Sequence, residues 1–266
     1  MNHRWMGLTD AFWAAWGLEL LKLRRSTVAR LITPLLAGLV PLAAIGAVAL
    51  ARSPDLPGAA GAKFLPYATG ELAATHLLVA GQVLSVAVLV AGGFTAAWGY
   101  GREFTEGSAG ALVGLVTPRW MIGLAKALLL SGWLLACLAA SLLLTVLLSL
   151  AVGGEPDGTA WHNAATAALA GVLAIALVLP FAWVATLTRS QLGTIGVLIA
   201  VVMVTQILVV LGAGTWFPYA VPSLLTGMGG TEIAAEIRPA SLLLTASLAP
   251  LSILAVAHQW HHLNDV

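Results

Sequence analysis

Residues 71–100 read ELAATHLLVAGQVLSVAVLVAGGFTAAWGY, and after Glu71 no Asp, Glu, Lys or Arg occurs until Arg102. Crossing the hydrocarbon of a bilayer takes about 20 apolar residues in a helix, so this stretch spans a membrane and projects beyond it at one end. It lacks the strict alternation of apolar and polar residues that a barrel strand needs. A backbone in lipid finds no water to bond to and must satisfy itself, so the stretch is a helix.

The rest of the chain repeats that pattern. Of its 266 residues 60% are hydrophobic and 9% charged, where an ordinary soluble domain carries roughly a quarter charged residues. Further apolar runs predict spans at about 28–50, 120–152, 164–187, 192–211 and 240–257, giving six with 71–100. Pro34 and Pro41 are expected to bend the first, and Pro180 lies inside the fourth. Residues 8–25, LTDAFWAAWGLELLKLRR, place Phe12, Trp16, Leu20 and Leu23 at helical spacing with Asp10, Glu19, Lys22 and Arg25 elsewhere. That pattern predicts an amphipathic helix lying in the membrane interface. Met1 to Arg25 has no clean apolar core with a cleavage site, so it is read as mature structure rather than a signal peptide. The expected fold is an all-α integral membrane protein, one domain over 1–266, with an N-terminal interfacial helix and six spans.

Six spans put both termini on one side, and the basic residues choose that side. Arg4, Lys22, Arg24, Arg25, Arg30, Arg102, Arg119, Lys126 and Arg189 fall with the termini, while Arg52, Lys63 and Arg238 fall opposite. Nine against three makes the first side cytoplasmic by the positive-inside rule. Residues 212–239 then form an extracellular loop with room for short helices. Trp5, Trp13, Trp16, Trp98, Trp120, Trp161, Trp216 and Trp260 cluster near span ends as interfacial anchors, while Trp133 and Trp183 lie deeper.

Several chemistries are missing from the sequence. The single cysteine, Cys137, cannot form an intrachain disulfide. There is no H-E-x-x-H, no G-x-S-x-G and no phosphate loop. His258, His261 and His262 are too close to an ordinary interfacial tail to define a metal centre. No catalytic residue is assigned. Ion-driven transporters usually keep an ionisable side chain within the membrane. Here Lys126 lies about two turns from a span end, near enough to extend its amine to the interface, and His76, Gln82 and Gln206 are the main polar groups between the ends.

The most informative polar stretch is REFTEGSAGALVGLVTPRWMIGLAK, from Arg102 to Lys126. Glu103 and Glu106 share one helical face near the start of a short cytoplasmic helix, 103–118, that Pro118 would stop. The segment, an E-F-x-x-G-[ST] pattern followed by Pro, Arg and Lys after the second of six spans, resembles the coupling-helix region of type-2 ATP-binding-cassette exporter permeases, above all the bacitracin and lantibiotic immunity group. The residues carrying the resemblance are Glu103, Phe104, Glu106, Gly107, Ser108, Pro118, Arg119 and Lys126. GTWFPYAVPSLL, with Phe217, Pro218 and Pro222, is similar to the outer loop of that group, and the likeness extends over the whole chain. In this chain Arg119 directly follows Pro118, where the group usually has one or two residues between.

The resemblance implies a permease in the cell membrane, a transmembrane subunit without catalysis of its own, exporting a peptide antibiotic, drug or lipid and so conferring antibiotic resistance. It implies a permease dimer, of like or homologous copies, above two cytoplasmic ATPase subunits. ATP and Mg would sit on the ATPase, no cofactor on this chain, and no nucleic acid is among the partners. Residues 103–118 would contact the ATPase, with helix 8–25 as a second contact. Gln82, Ser85, Thr205 and Gln206 are candidates for the substrate path. The residues alone leave room for two other readings, an ion-coupled secondary transporter and a membrane scaffold or sensor that transports nothing.

Overall fold

The computed structural model describes residues 7–53, 64–105 and 118–262, and among them every regular element is a helix. Six helices are long and apolar enough to cross a membrane. Helix α1, Leu8–Arg25, precedes them. The first span, Thr27–Ala51, is built from α2 (Thr27–Pro34), a π-helical turn at Leu35–Leu39, and α3 (Val40–Ala51). Pro34 has no N–H to donate back along the helix, and the wider turn directly after it accommodates the interruption. The expected bend is therefore a π turn between the two prolines.

The remaining spans are α4 (Leu72–Thr105), α5 (Arg119–Ala151), α6 (Gly158–Thr188), α7 (Gln191–Val210) and, after two short helices, α8 (Val221–Leu225) and α9 (Thr231–Ala235), the last span α10 (Pro239–His261). The Asp157 carboxylate caps α6 by accepting from the Ala160 N–H at 2.7 Å. A tight turn joins α6 to α7: Arg189 takes the left-handed conformation at φ 50°, and the Ser190 hydroxyl then caps α7 by accepting from Gly193 N.

The parallel pair α4 and α6 forms the core. Of their most apolar stretches 61% and 67% are buried, against 17% for α7, which leaves most of its surface for lipid or another chain. Small residues allow the close approach. A Cβ on Gly92 would lie 2.5 Å from Val178 Cγ2, and one on Gly81 would lie 2.7 Å from Ala167 Cβ. Without water, polar groups are satisfied across helices: His76 Nδ1 meets Ser149 Oγ at 2.9 Å, Asn163 Nδ2 donates to the Ala74 carbonyl, and Trp133 Nε1 donates to Thr33 Oγ1.

The segment between α7 and α10 is packed rather than draped over the bundle. Ala220, Val221 and Leu224 are buried, Tyr219 meets Phe181 edge to face at 5.8 Å, and the Thr226 carbonyl accepts from Gln82 Nε2. Gln82 lies ten residues into α4, roughly 15 Å along the helix. Part of 212–239 thus enters the bundle beside its central pair.

Three of the four polar residues considered for a path are hydrogen-bonded within the chain. Gln82 is held by Tyr67 Oη, which donates to Oε1 at 2.7 Å, and by its own bond to Thr226. Ser85 is buried and donates to the Gln82 carbonyl, and Thr205 is buried and donates back to the Val201 carbonyl. The bonds of these three lie within the protomer. Only Gln206 is exposed, on α7. The rotation of each span about its own axis sets this, and it is fixed by neighbouring helices rather than by the span's own residues.

Candidate functional site

Four charged side chains from three helices meet at the end of the bundle that carries Arg102, Arg119 and Arg189. Glu103 stands in the last turn of α4, which continues past Tyr100 because GREFT contains no proline to stop it. It is therefore not the first turn of a separate helix. Pro118, extended at ψ 129°, precedes α5, whose first residue is Arg119. Residues 106–117, which include Glu106, Gly107 and Ser108, lie outside the described residues, so most of the expected segment 103–118 is not seen.

Lys126 is two turns into α5 and 7% exposed, too deep for the interfacial extension expected of it. Its amine lies 2.5 Å from Glu103 Oε1 and 3.6 Å from Glu19 Oε2, and it donates to the Gly99 carbonyl at 3.0 Å. Lys22 completes the set, 2.9 Å from Glu103 Oε1 and 2.7 Å from Glu19 Oε1. Two acids face two bases; Glu19, Glu103 and Lys126 are buried, where charge needs a partner, and Lys22 closes the set from its partly exposed edge. Burial alone would lower the Lys22 pKa, but the carboxylates of Glu103 and Glu19 outweigh it and hold the amine above the ordinary lysine value.

Aromatic rings close the set. Lys126 Nζ lies 5.5 Å from the centroids of both Tyr100 and Trp260, within cation–π range. Tyr100 and Trp260 meet edge to face at 6.1 Å, and Phe104 packs against Trp260 at 6.5 Å. Tyr100 Oη donates to the Gly123 carbonyl, where the absence of a Cβ lets the Trp260 ring approach. Trp260 is 2% exposed, a core residue joining α10 to the set rather than an interfacial anchor.

The result is a mechanical junction. Helix α1 is tied through Glu19 and Lys22 to the end of the second span and the start of the third, the two spans that flank residues 106–117. The most buried face of α1 is Ala11, Ala15 and Glu19, where two small residues admit close contact and Glu19 finds a lysine, and Phe12 and Trp16 of the apolar stripe pack half-buried against the bundle core beside it. Among the described residues no group of histidine, cysteine, aspartate and glutamate could hold a metal ion.

Sequence reasoning named Glu103, Phe104 and Lys126 but did not join them, and it placed Glu19 and Lys22 on the polar side of an interfacial helix. The available signal was an acid and a base three apart on α1, with an opposite pair at the ends of adjoining spans.

Residues 17–207 match the family model described as ABC-2 family transporter protein. That match takes in all four charged residues of the junction and stops before α10. No curated protein matches the chain.

Proposed function

Since the chain belongs to the ABC-2 family of transporter proteins, we propose that it is the membrane-spanning permease of an ATP-driven exporter, worked by a separate ATP-binding-cassette ATPase. The single observation that carries the mechanical part of this reading is the junction of Glu19, Lys22, Glu103 and Lys126. A motor outside the membrane needs a stiff path into the spans. Residues 106–117 are anchored at both ends by helices that share this buried, charge-balanced contact, so a displacement of that segment moves α4, α5 and α1 together rather than bending one of them.

In this reading the junction lies at the cytoplasmic face, the side indicated by nine basic residues against three. The ATPase binds there through the segment around Glu106 and through α1, which lies along the interface. ATP and Mg belong to the ATPase, and this chain performs no covalent chemistry. A second permease copy, identical or homologous, covers the exposed face of α7, where Ile199, Met203 and Ile207 are each more than half exposed. Cargo moves outward along that contact, where Gln206 is the exposed one of the four polar candidates. The apolar surroundings suit an amphipathic or hydrophobic cargo, such as a peptide antibiotic, a drug or a lipid. The bacitracin and lantibiotic immunity group remains the model for this proposal on the strength of the segment resemblance alone.

The test uses Glu106→Lys rather than a change at Glu103, because Glu103 also holds the junction together. The chain is co-expressed with a candidate ATP-binding-cassette ATPase from the same genome and purified through a tag on the permease. Loss of co-purified ATPase and of its stimulation, with the permease still folded, is the expected result. Unchanged assembly together with unchanged stimulation would overturn the assigned contact.

A further inference from the structure

Where α1, the start of the first span and α5 meet, a groove of about 690 Å³ opens, within the range of roughly 300–1,000 Å³ typical of small-ligand sites. Trp16, Leu20 and Leu23, from the apolar stripe of α1, line one wall, and Leu128 and Leu129 of α5 line another. Gly132 also borders the space; it is exposed, and a Cβ there would meet nothing within 4 Å, so the groove is open at that point. Its polar lining is one-sided. Arg24, in the last turn of α1, and Arg30, in the first turn of α2, both border it and are exposed, and among the described residues no acid does so. Among the described residues neither guanidinium has an ion-pair partner. The hydrogen bond from Trp133 to Thr33 sets the depth of these groups, because both residues line the groove. Arg30 stands three residues before Thr33, roughly 4–5 Å nearer the start of the span, and Arg24 precedes the span altogether. The cations therefore lie on the shallow side of the groove, with Thr33, Gly132 and Trp133 on the deep side.

We propose that this groove binds an anionic phospholipid of the bilayer, an acyl chain running along the leucines and over Gly132 and the headgroup at the shallow side, where the arginines stand. Charge complementarity selects the sign of the headgroup, since two cations and no acid border the space. A cation near a membrane surface strengthens anionic-lipid binding roughly fivefold through its field alone, so each arginine contributes separately and the two need not close on one phosphate. The apolar walls select a lipid over a soluble anion, because a free phosphate has no use for hydrocarbon surface. Leu128 is 39% exposed and Pro34 is exposed, so the groove opens sideways, the direction from which an acyl chain enters. A lipid held here lies against α1 on the side away from Glu19 and supports the helix that the charged junction ties at that one residue and Lys22. This inference needs a bilayer but neither an ATPase nor a direction of transport, so it stands or falls apart from the proposed export function.

Native mass spectrometry of the full-length chain in detergent tests it, with phosphatidylglycerol, phosphatidylcholine or inorganic phosphate added. The expected result is selective retention of one phosphatidylglycerol. Arg24→Gln and Arg30→Gln should each weaken that retention about fivefold, and the two together about 25-fold. Arg25→Gln combined with Arg119→Gln removes as many cations from the same end of the bundle, outside the lining of this groove, and should leave retention unchanged. Gly132→Leu changes no charge and puts a side chain into the open part of the groove, so loss of the retained lipid is expected there as well. Equal retention of phosphatidylcholine, displacement of the lipid by inorganic phosphate, equal weakening by the two double variants, or full retention in Gly132→Leu would overturn the proposal. Arg24, Arg30 and Gly132 are exposed and stand apart from the buried charges, so their variants should keep the parent's thermal midpoint.

Discussion

Replacing Lys126 by methionine removes the buried cation from a set in which Glu19 and Glu103 are also buried and Lys22 is partly exposed. Of the set, Lys22 then stays beside both acids, its amine 2.7 Å from Glu19 and 2.9 Å from Glu103. Breaking a buried ion pair from one side strands a charge where water cannot reach it, which costs about 3–5 kcal/mol. Lys126→Met should destabilise the chain by that amount. Glu103→Gln should cost less, about 1.5–3 kcal/mol for a lost charged hydrogen bond. The difference arises because Lys126 keeps the Gly99 carbonyl at 3.0 Å, Glu19 at 3.6 Å and two ring faces at 5.5 Å. Combining the two changes returns the set to one acid and one base. The double variant should therefore be more stable than the summed single losses imply, by about 1–3 kcal/mol. Unfolding the purified chain in mixed micelles with increasing sodium dodecyl sulfate, followed by circular dichroism, measures all four corners of this cycle. If Lys126→Met lies within about 0.5 kcal/mol of the parent, the span of an ordinary surface change, or if the two changes simply add, the four residues do not act as one buried unit and the junction is refuted.

Close packing of the core pair gives a second test: Gly92→Ala places a Cβ 2.5 Å from Val178 and should cost about 1–3 kcal/mol. Gly132→Ala, with nothing within 4 Å of its Cβ, should be neutral or gain up to about 1 kcal/mol of helix propensity in the same unfolding assay. Alkaline titration of stability tests two groups whose folded state holds the proton more tightly, Lys22 and Tyr219, the latter pushed by burial from 10.0 to about 12. The contribution of Tyr219 is complete below about pH 10 and is lost as pH rises through about 12, that of Lys22 is lost as pH rises through its own raised folded value, and Tyr219→Phe should flatten part of that fall. On the acid side, the Ala160 N–H holds the Asp157 carboxyl below its ordinary 3.8, so its contribution is present above that pH and is lost as pH falls through the lower folded value. Asp157→Asn preserves a capping oxygen and should abolish this acid dependence while the thermal midpoint at neutral pH stays close to the parent's; an unchanged acid profile would show that the cap does not titrate there.

The six long apolar helices were legible because they depend on local composition. The second span was expected at 71–100 and its helix is Leu72–Thr105; the fifth was expected at 192–211 and is Gln191–Val210. The extra turn on the second carries Glu103 with it, and nothing in the apolar pattern marks where a helix stops once it has left the hydrocarbon. Lys126 and Trp260 illustrate the opposite case. Each stands near a span end, where a long or amphipathic side chain ordinarily reaches the interface. Both turned inward, because a carboxylate waited for the one and a ring and a glycine for the other.

What the sequence alone determined is that this chain lives in a membrane as a set of six apolar helices, for lipid tests every residue of a span separately and leaves a periodic, additive record. What only the tertiary structure decided is which polar residues meet. Lys22 and Glu103 are 81 positions apart, and Thr33 and Trp133 are 100 apart. Such pairings depend on the rotation and depth of each helix against its neighbours. Shape at glycine contacts and the expense of an unpaired charge set those two quantities, and neither is written in any one segment.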